Sequence, residues 1–376
     1  MRRALAIFLI LILLTPSIAL GNAVDLTSAK AAIIAPLQSD MTIEQKNETE
    51  QYNVAGLCKL PAILTLSIAF DKGVIEPQAQ MQVSHKASGI SGPTAFLESS
   101  EVVAAEELIK AAVMISAGDA IYTLGENAFG SEQVFLQNIE VTLDSLGLDV
   151  QATDCLFSGC TFTAEEMLTL AQAAAQSQTF LKYCGVYMDE LVHADGRRTE
   201  LVNANRMIRN YSGCFGLMTG SSKDDGYCGV FVAKRNDMCY VCVVIGSKNS
   251  EDRFNVATSL FDYAFSSFRI QTLATAYTPL LKEVLVRSGD PKSVDLVSHE
   301  TAVILQRKDE GELEKVWEIA QELQAPLYAD VSVGMMTVRN VQGETLCQIP
   351  IYPAVDVQSY GTLDILRRLA RNFLGC

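Results

Sequence analysis

The chain has 376 residues, which is more than one hydrophobic core ordinarily organises, so we expect two domains. With 49% hydrophobic and 19% charged residues, its composition is typical of a globular protein. The formal net charge of -15 argues against a nucleic-acid-binding function, because phosphates require a basic protein surface.

Residues 1–23 have the pattern of a secretory signal peptide. Arg2 and Arg3 precede an apolar run over residues 4–14, and small residues follow up to Ala23. We expect cleavage near Ala23, which places the mature protein outside the cytoplasm. The alternative is an uncleaved membrane anchor, although the apolar run is short for a membrane span.

A β-hairpin is predicted over residues 29–47, and it leads into a buried helix that is almost wholly apolar. Lys59 follows Gly56 by three positions, and residues at that spacing share one face of a helix. Pro61 is unfavourable inside a helix that begins at Gly56, so the alternative is a helix that begins near Leu60.

Residues 81–100 are polar and rich in Gly and Ser, which predicts a loop, whereas residues 101–182 are predicted to be largely helical. Within this helical block, Ser131 is the expected N-cap of one helix. Thr163 and Glu166 form a capping box that opens another helix, which we expect to run to about residue 182.

After the helical block the pattern changes to the period of two residues that is typical of strands. Three consecutive antiparallel strands are predicted within residues 211–246, followed by an amphipathic helix over residues 253–268. The first domain is therefore predicted to mix sheet and helices. Residues 275–353 show short alternating runs that are typical of a small β-sandwich.

The end of the chain is predicted to form a basic amphipathic helix. Within residues 362–374, leucines and Phe373 share one helical face, and the other face carries Arg367, Arg368 and Arg371. Such a helix at the end of an acidic protein is suited to an anionic membrane surface. The alternative is a helix docked on its own β-domain.

The ten cysteines do not follow a metal-binding pattern. Cys239 and Cys242 lie in a predicted strand, so their side chains point to opposite faces, and the chain has only three histidines. No metal or other cofactor is therefore predicted. We interpret the cysteines as buried thiols or as members of a few disulfides.

Several segments, in a fixed order along nearly the whole mature chain, resemble the D-alanyl-D-alanine carboxypeptidases, which are low-molecular-mass penicillin-binding proteins. These segments are residues 28–34, the spacing from Lys46-Asn47 to Lys59, and residues 116–120, 201–208, 213–220 and 226–228.

The resemblance implies an α+β fold with a penicillin-binding-protein/β-lactamase-like domain over residues 24–272. It also implies a small C-terminal β-sandwich domain over residues 273–358 and an amphipathic membrane-surface helix over residues 359–376.

The acyl transfer of this family requires three motifs around one cleft: Ser-x-x-Lys, Ser-x-Asn and Lys-Thr-Gly. The first motif falls on Gly56 and Lys59, which keeps the lysine and loses the nucleophile. The second falls on Ser116 and Gly118, which keeps the serine and loses the amide that holds the substrate.

The third motif falls on Met218, Thr219 and Gly220, which keeps the Thr-Gly strand that binds substrate and loses the cation. Loss of a catalytic nucleophile alone lowers turnover by on the order of a million-fold. The resemblance therefore predicts that ordinary serine acylation is excluded.

The retained residues also have structural interpretations. Lys59 would bond to Ser116 or to a backbone carbonyl, Ser116 would be the N-cap of the next helix, and Thr219-Gly220 would allow close approach at an edge strand. Cys58 is a candidate substitute nucleophile, but its position is about 200 degrees around a helix from Gly56. We interpret Cys58 as a packing residue.

The sequence thus predicts an extracytoplasmic protein at the outer face of the cytoplasmic membrane, acting in peptidoglycan metabolism of the cell wall or spore wall. We expect a catalytically inactive carboxypeptidase homologue that binds a peptidoglycan stem peptide or a cell-wall protein, and an anionic membrane surface through residues 362–376. One alternative is an active serine-type carboxypeptidase of weak or altered activity. Another is a partner-binding module with a vestigial cleft.

Overall fold

The computed structural model describes residues 24–38 and 41–361. The predicted signal peptide and the predicted helix over residues 362–376 lie outside the described residues. The described chain divides into two compact units, with the boundary between Ser266 and Ser267. No helix in the described part is both long enough and apolar enough to cross a membrane.

The first unit combines an antiparallel sheet with helices and several two-stranded ribbons. Its strands are β1 (Ala31–Pro36), β2 (Glu44–Lys46), β3 (Tyr52–Asn53), β4 (Gln80–Gln82), β5 (Val102–Ala104), β6 (Thr161–Phe162), β7 (Met188–Val192), β8 (Arg198–Val202), β9 (Cys214–Ser222), β10 (Gly226–Arg235) and β11 (Met238–Ser247). A 3-10 helix covers Ala55–Lys59, and the α-helices are α1 (Leu60–Asp71), α2 (His85–Ser88), α3 (Ala105–Ile115), α4 (Gly118–Phe129), α5 (Glu132–Ser145), α6 (Ala164–Ala174), α7 (Gln178–Cys184), α8 (Met207–Asn210) and α9 (Ser250–Ser267).

The main sheet has the strand order β2-β1-β11-β10-β9, with every neighbouring pair antiparallel. The predicted hairpin of β1 and β2 and the three consecutive strands β9 to β11 are confirmed. β11 is apolar over most of its length and lies in the middle of the sheet, where both faces are covered. β9, which carries the third motif, is an edge strand.

Helix α1 is the buried helix of the first unit, and it packs against α3, α4, α5, α6 and α7. Nine of its residues are buried, including Leu60, Ile63 and Leu66, because its sequence is apolar on every face. The α-helix begins at Leu60 with Pro61 in its first turn, where a missing N–H costs little. The alternative of a helix that begins near Leu60 is confirmed, and an α-helix that begins at Gly56 was wrong, because Gly56 and Lys59 belong to the preceding 3-10 helix.

The prediction of a loop over residues 81–100 was wrong in part. Helix α2 lies within this range, and the side chain of Ser84 caps it by accepting a hydrogen bond from the backbone N–H of Ala87. Val83 and Ala87 are buried, so a few apolar positions inside a polar stretch were sufficient to order it. The predicted helical block from residue 101 also begins differently: residues 102–104 form the strand β5, and helix α3 begins at Ala105.

The capping box of Thr163 and Glu166 is confirmed, but the single helix predicted to about residue 182 was wrong. α6 ends at Ala174, and Ser177 caps a separate helix, α7. The Asp71 carboxylate at the end of α1 accepts hydrogen bonds from the Ser177 hydroxyl at 2.6 Å and the Thr179 N–H at 2.9 Å. The Ser177 N-cap is a local signal for this break, and Asp71 holds Ser177 and Thr179 from the end of α1.

The second unit is β-rich. Its strands are β12 (Phe268–Ala274), β13 (Pro279–Arg287), β14 (Gly289–Asp290), β15 (Ser293–Val297), β16 (Ala302–Arg307), β17 (Glu314–Ile319), β18 (Leu323–Gln324), β19 (Gly334–Arg339), β20 (Thr345–Pro353) and β21 (Gln358–Ser359). A six-stranded sheet has the order β17-β19-β20-β15-β13-β18, and β12 pairs with β16. Leu273, Leu296, Met336 and Ile351 contribute to one apolar core.

Candidate functional site

The first and third motif segments meet at Gly56 and Gly220. A β-carbon on Gly220 would lie 2.7 Å from the backbone N of Gly56 and 2.9 Å from that of Leu57, so only glycine fits there. A β-carbon on Gly56 would have the Cα of Gly220 at 3.6 Å as its nearest neighbour, which is ordinary van der Waals contact. The expectation that Gly220 permits close approach at an edge strand is confirmed.

Lys59 joins the first motif to the second. Its Nζ atom donates a hydrogen bond of 3.0 Å to the backbone carbonyl oxygen of Ser116, and the side chain is buried. Burial lowers the pKa of the Lys59 ammonium, and the neighbouring Cys58 and Asp119 oppose this shift in part. The lysine that would activate a serine is thus retained and buried.

Ser116 is buried at the end of α3 in the left-handed backbone conformation, with φ of 56°. The prediction that Ser116 caps the following helix was wrong, because the N-cap of α4 is Ala117, which makes no side-chain cap. A left-handed φ is rare for serine, and such outliers concentrate at functional sites.

The Asp119 carboxylate, three residues after Ser116, is buried and accepts hydrogen bonds from the backbone N–H groups of Ala95 and Leu97.

Gly118 lies beside the Lys59 ammonium, but its surroundings are filled. A β-carbon on Gly118 would lie 3.2 Å from Lys59 Nζ, 3.6 Å from Leu156 Cδ1 and only 2.8 Å from Cγ2 of Ile90. The Ile90 side chain therefore occupies part of the space that an asparagine at position 118 would need.

Met218 and Thr219 lie on β9 in different environments. Met218 is 3% exposed and belongs to the hydrophobic core of the first unit, whereas Thr219 is only partly buried. Thr219 pairs with Gly229 and Met218 with Val230 on β10. At position 218 the chain thus has an apolar contact in place of a cation.

Arg253 on α9 is a site residue that the sequence reasoning missed. Its guanidinium donates hydrogen bonds to the carbonyl oxygens of Gly220 at 3.2 Å and Cys228 at 3.0 Å, and the side chain is 4% exposed. Its Nε atom has no hydrogen-bond partner in the described part of the chain. Burial lowers the pKa of this guanidinium, which nevertheless remains charged at neutral pH.

Cys58 is poorly suited to act as a nucleophile. Its thiol is near the carbonyl oxygen of Leu156, with a sulfur–oxygen distance of 3.5 Å. Burial raises the pKa of this thiol to about 11, and the nearby Lys59 offsets only part of that shift. Because the thiolate is the reactive form, very little of the reactive species exists at neutral pH.

The nine cysteines among the described residues are free thiols. Within the same residues, no group of three or more His, Cys, Asp or Glu side chains is arranged to hold a metal ion.

Two family models match the chain. The model described as D-alanyl-D-alanine carboxypeptidase matches residues 20–249, and the model described as penicillin-binding protein 5, C-terminal domain, matches residues 270–359. The D-alanyl-D-alanine carboxypeptidase DacF of Bacillus subtilis (strain 168) is 27% identical over 346 residues, which cover 90% of this chain and 88% of that protein.

Two solved structures are similar over most of the chain. Penicillin-binding protein 5 of Haemophilus influenzae has a TM-score of 0.74 at 18% identity and covers 91% of this chain and 100% of its own. A peptidoglycan synthesis regulatory factor (PBP3) of Streptococcus pneumoniae has a TM-score of 0.69 at 19% identity and covers 88% and 99%. At these identities the structural matches establish the fold alone.

Proposed function

The chain belongs to the D-alanyl-D-alanine carboxypeptidase family, and we propose that it is a member without carboxypeptidase activity. Proteins of this family bind D-Ala-D-Ala stem peptides and act on peptidoglycan outside the cytoplasm. In this proposal the protein binds a stem peptide, or a cell-wall protein, and does not cleave it.

The observation that carries the proposal is the glycine at the nucleophile position. Gly56 has no side chain to attack a carbonyl, and the adjacent Cys58 has a pKa raised to about 11 by burial. The Lys59 ammonium bonds to the Ser116 backbone and lies beside Gly118, so the lysine of the first motif and the serine of the second are still together while the nucleophile is missing.

The edge strand β9, which carries Thr219 and Gly220, supports binding of a stem peptide. Among the described residues, no further strand of the main sheet pairs with the outer edge of β9. Arg253 supplies a buried positive charge behind Gly220, although Met218 lacks one. An extended peptide that pairs with an edge strand gains backbone hydrogen bonds without any catalytic group.

Two other functions follow from specific observations. The proximity of Lys59, Ser116 and Gly118 favours an enzyme of weak or altered activity. The Ile90 side chain next to Gly118 and the buried Met218 favour a vestigial cleft, in which case the protein acts only as a partner-binding module.

Calorimetry with purified muropeptides that end in D-Ala-D-Ala, combined with an assay for released D-alanine, separates these functions. The proposal predicts saturable binding without release of D-alanine, and the enzyme alternative predicts release. Absence of binding at millimolar ligand would leave the partner-binding module.

For residues 362–376 we propose attachment to the outer face of the cytoplasmic membrane, on the basis of their basic amphipathic sequence. Deletion of these residues should release the protein from anionic vesicles. Unchanged vesicle binding after the deletion would contradict the anchor.

A further inference from the structure

Three aromatic rings form a continuous stack on the second unit. The ring centroids of Tyr277 and His299 are 5.4 Å apart, and those of His299 and Tyr352 are 3.8 Å apart with an interplanar angle of 11°. His299 is the middle ring, so Tyr277 ends the stack. Tyr277 is 72% exposed, and the face of its ring that points away from His299 is therefore open to solvent.

The strand register of the six-stranded sheet builds this stack. Val297, at the end of β15, pairs with Pro279 of β13 on one side and with Tyr352 of β20 on the other. Tyr277 lies two residues before β13 and His299 two residues after β15, so three adjacent strands bring the rings to one end of the sheet. The stack is consequently fixed by sheet pairing.

The backbone at Tyr277 is also held in an unfavourable conformation. Its φ is 56°, which is rare for a bulky residue, and its N–H donates a 2.8 Å hydrogen bond to the carbonyl oxygen of Ser298. The Ser298 hydroxyl in turn accepts a hydrogen bond from the N–H of Glu300, which shapes the turn that carries His299. The structure thus keeps a large aromatic ring rigid and exposed at the expense of local strain.

The charge of the second unit restricts what this ring can bind. Residues 267–361 contain 13 acidic and 8 basic residues, a net charge of -5, which disfavours a polyanionic ligand on this part of the unit. A pyranose ring is neutral and has an apolar C–H face of about the size of a tyrosine ring, with polar groups at its edge. A rigid aromatic face that is backed by further rings is suited to such a ligand, since little conformational entropy is lost on binding.

We propose that the outer ring face of Tyr277, backed by His299 and Tyr352, is a binding site for a neutral N-acetylhexosamine of a polysaccharide. This inference rests on the proposed peptidoglycan setting, because the backbone of that polymer consists of amino sugars. The site would let the second unit hold a glycan strand independently of the stem-peptide cleft.

The test uses the full chain with tetra-N-acetylchitotetraose and with soluble glycan strands from which the stem peptides have been removed. Because the chain has only His85, His193 and His299, the imidazole NMR signals are easy to follow during a titration. Addition of the sugar should shift the signals of His299 in a saturable manner and leave those of the buried His193 unchanged.

Tyr277→Ala should weaken binding by about five- to ten-fold, and Tyr277→Phe, which keeps the ring, should bind within about two-fold of the wild type. Tyr328→Ala is the matched control, since Tyr328 is another exposed tyrosine of the same unit. A circular dichroism melting curve verifies that each variant is folded.

Absence of a His299 shift in the wild type at millimolar sugar overturns the proposal, as does equal binding by Tyr277→Ala and the wild type. Because these probes contain no stem peptide, either failure leaves the proposed stem-peptide function untouched.

Discussion

Gly56 and Gly220 lie against each other where the first and third motif segments meet, and the contact is asymmetric. A β-carbon added to Gly56 would be 3.6 Å from the Cα of Gly220, whereas one added to Gly220 would be 2.7 Å from the N of Gly56. The nucleophile position can therefore accept a β-carbon, and the position facing it cannot.

This asymmetry predicts that two small substitutions will differ in their effect on stability. Gly56→Ser should leave the free energy of unfolding within about 0.5 kcal/mol of the wild type. Gly220→Ala should lower it by about 1–3 kcal/mol, because backbone atoms must move. Urea denaturation of both variants measures the difference, and equal stability of the two would contradict the geometry.

Repair of the second motif should depend on Ile90. Gly118→Asn alone should destabilise the protein by about 1–3 kcal/mol, because its β-carbon would lie 2.8 Å from Ile90 Cγ2. Ile90→Ala should lower the free energy of unfolding less in the Gly118→Asn variant than in the wild type. A double-mutant cycle measures this coupling, and simple additivity of the two changes would show that Ile90 is not the obstacle.

The Cys58 thiol should behave as an inert group at neutral pH. Its pKa in the folded state is about 11 instead of 9.0, so native Cys58 should react slowly with iodoacetamide at pH 7.5 and faster as the pH approaches 11. Mass spectrometry of the Cys58 peptide measures this rate, with Cys58→Ala as the blank. Rapid modification at pH 7.5 would restore Cys58 as a candidate nucleophile.

The raised pKa of the Cys58 thiol also makes the stability of the protein depend on pH. Because the folded-state pKa is raised, the protonated thiol contributes stability that is fully present below pH 9 and is lost as the pH rises through 11. Cys58→Ala should therefore lose less stability than the wild type between pH 9 and pH 11. An identical loss in both proteins would contradict the assigned burial.

Arg253 should act as a positioning residue for the edge strand β9. Arg253→Lys cannot keep both hydrogen bonds to the carbonyls of Gly220 and Cys228, so we expect a loss of about 1–3 kcal/mol of stability. Muropeptide affinity should fall further than in Arg198→Lys, a control at an arginine whose side chain is 64% exposed. Unchanged affinity and stability in Arg253→Lys would remove it from the site.

Local signals in the sequence predicted those parts of the fold that depend on neighbouring residues. The caps at Ser131 and Thr163, and the helix start that Pro61 favours at Leu60, follow from backbone hydrogen bonding within a few positions. The break after Ala174 was missed although Ser177 is a local N-cap, whereas the hydrogen bond from Ser177 to Asp71, about 100 positions away, has no local signal.

The candidate site was also predictable only in part from the sequence. The pattern of retained and lost motif residues was readable from the sequence, and so was a bond from Lys59 to Ser116 or to a backbone carbonyl. The part played by Ile90 beside Gly118 and that of Arg253 behind Gly220 arise from contacts between distant segments. No local pattern of residue types announces either contact.

The most direct test of the proposed loss of catalysis is covalent labelling of the purified protein with a fluorescent penicillin, since the label reports acylation of the nucleophile. Gly56→Ser provides a variant in which the missing hydroxyl is restored at a position with space for its β-carbon. We predict no covalent label on the wild-type chain after denaturing electrophoresis. Stoichiometric labelling of the wild type would contradict the proposal and establish an acylating enzyme with a different nucleophile.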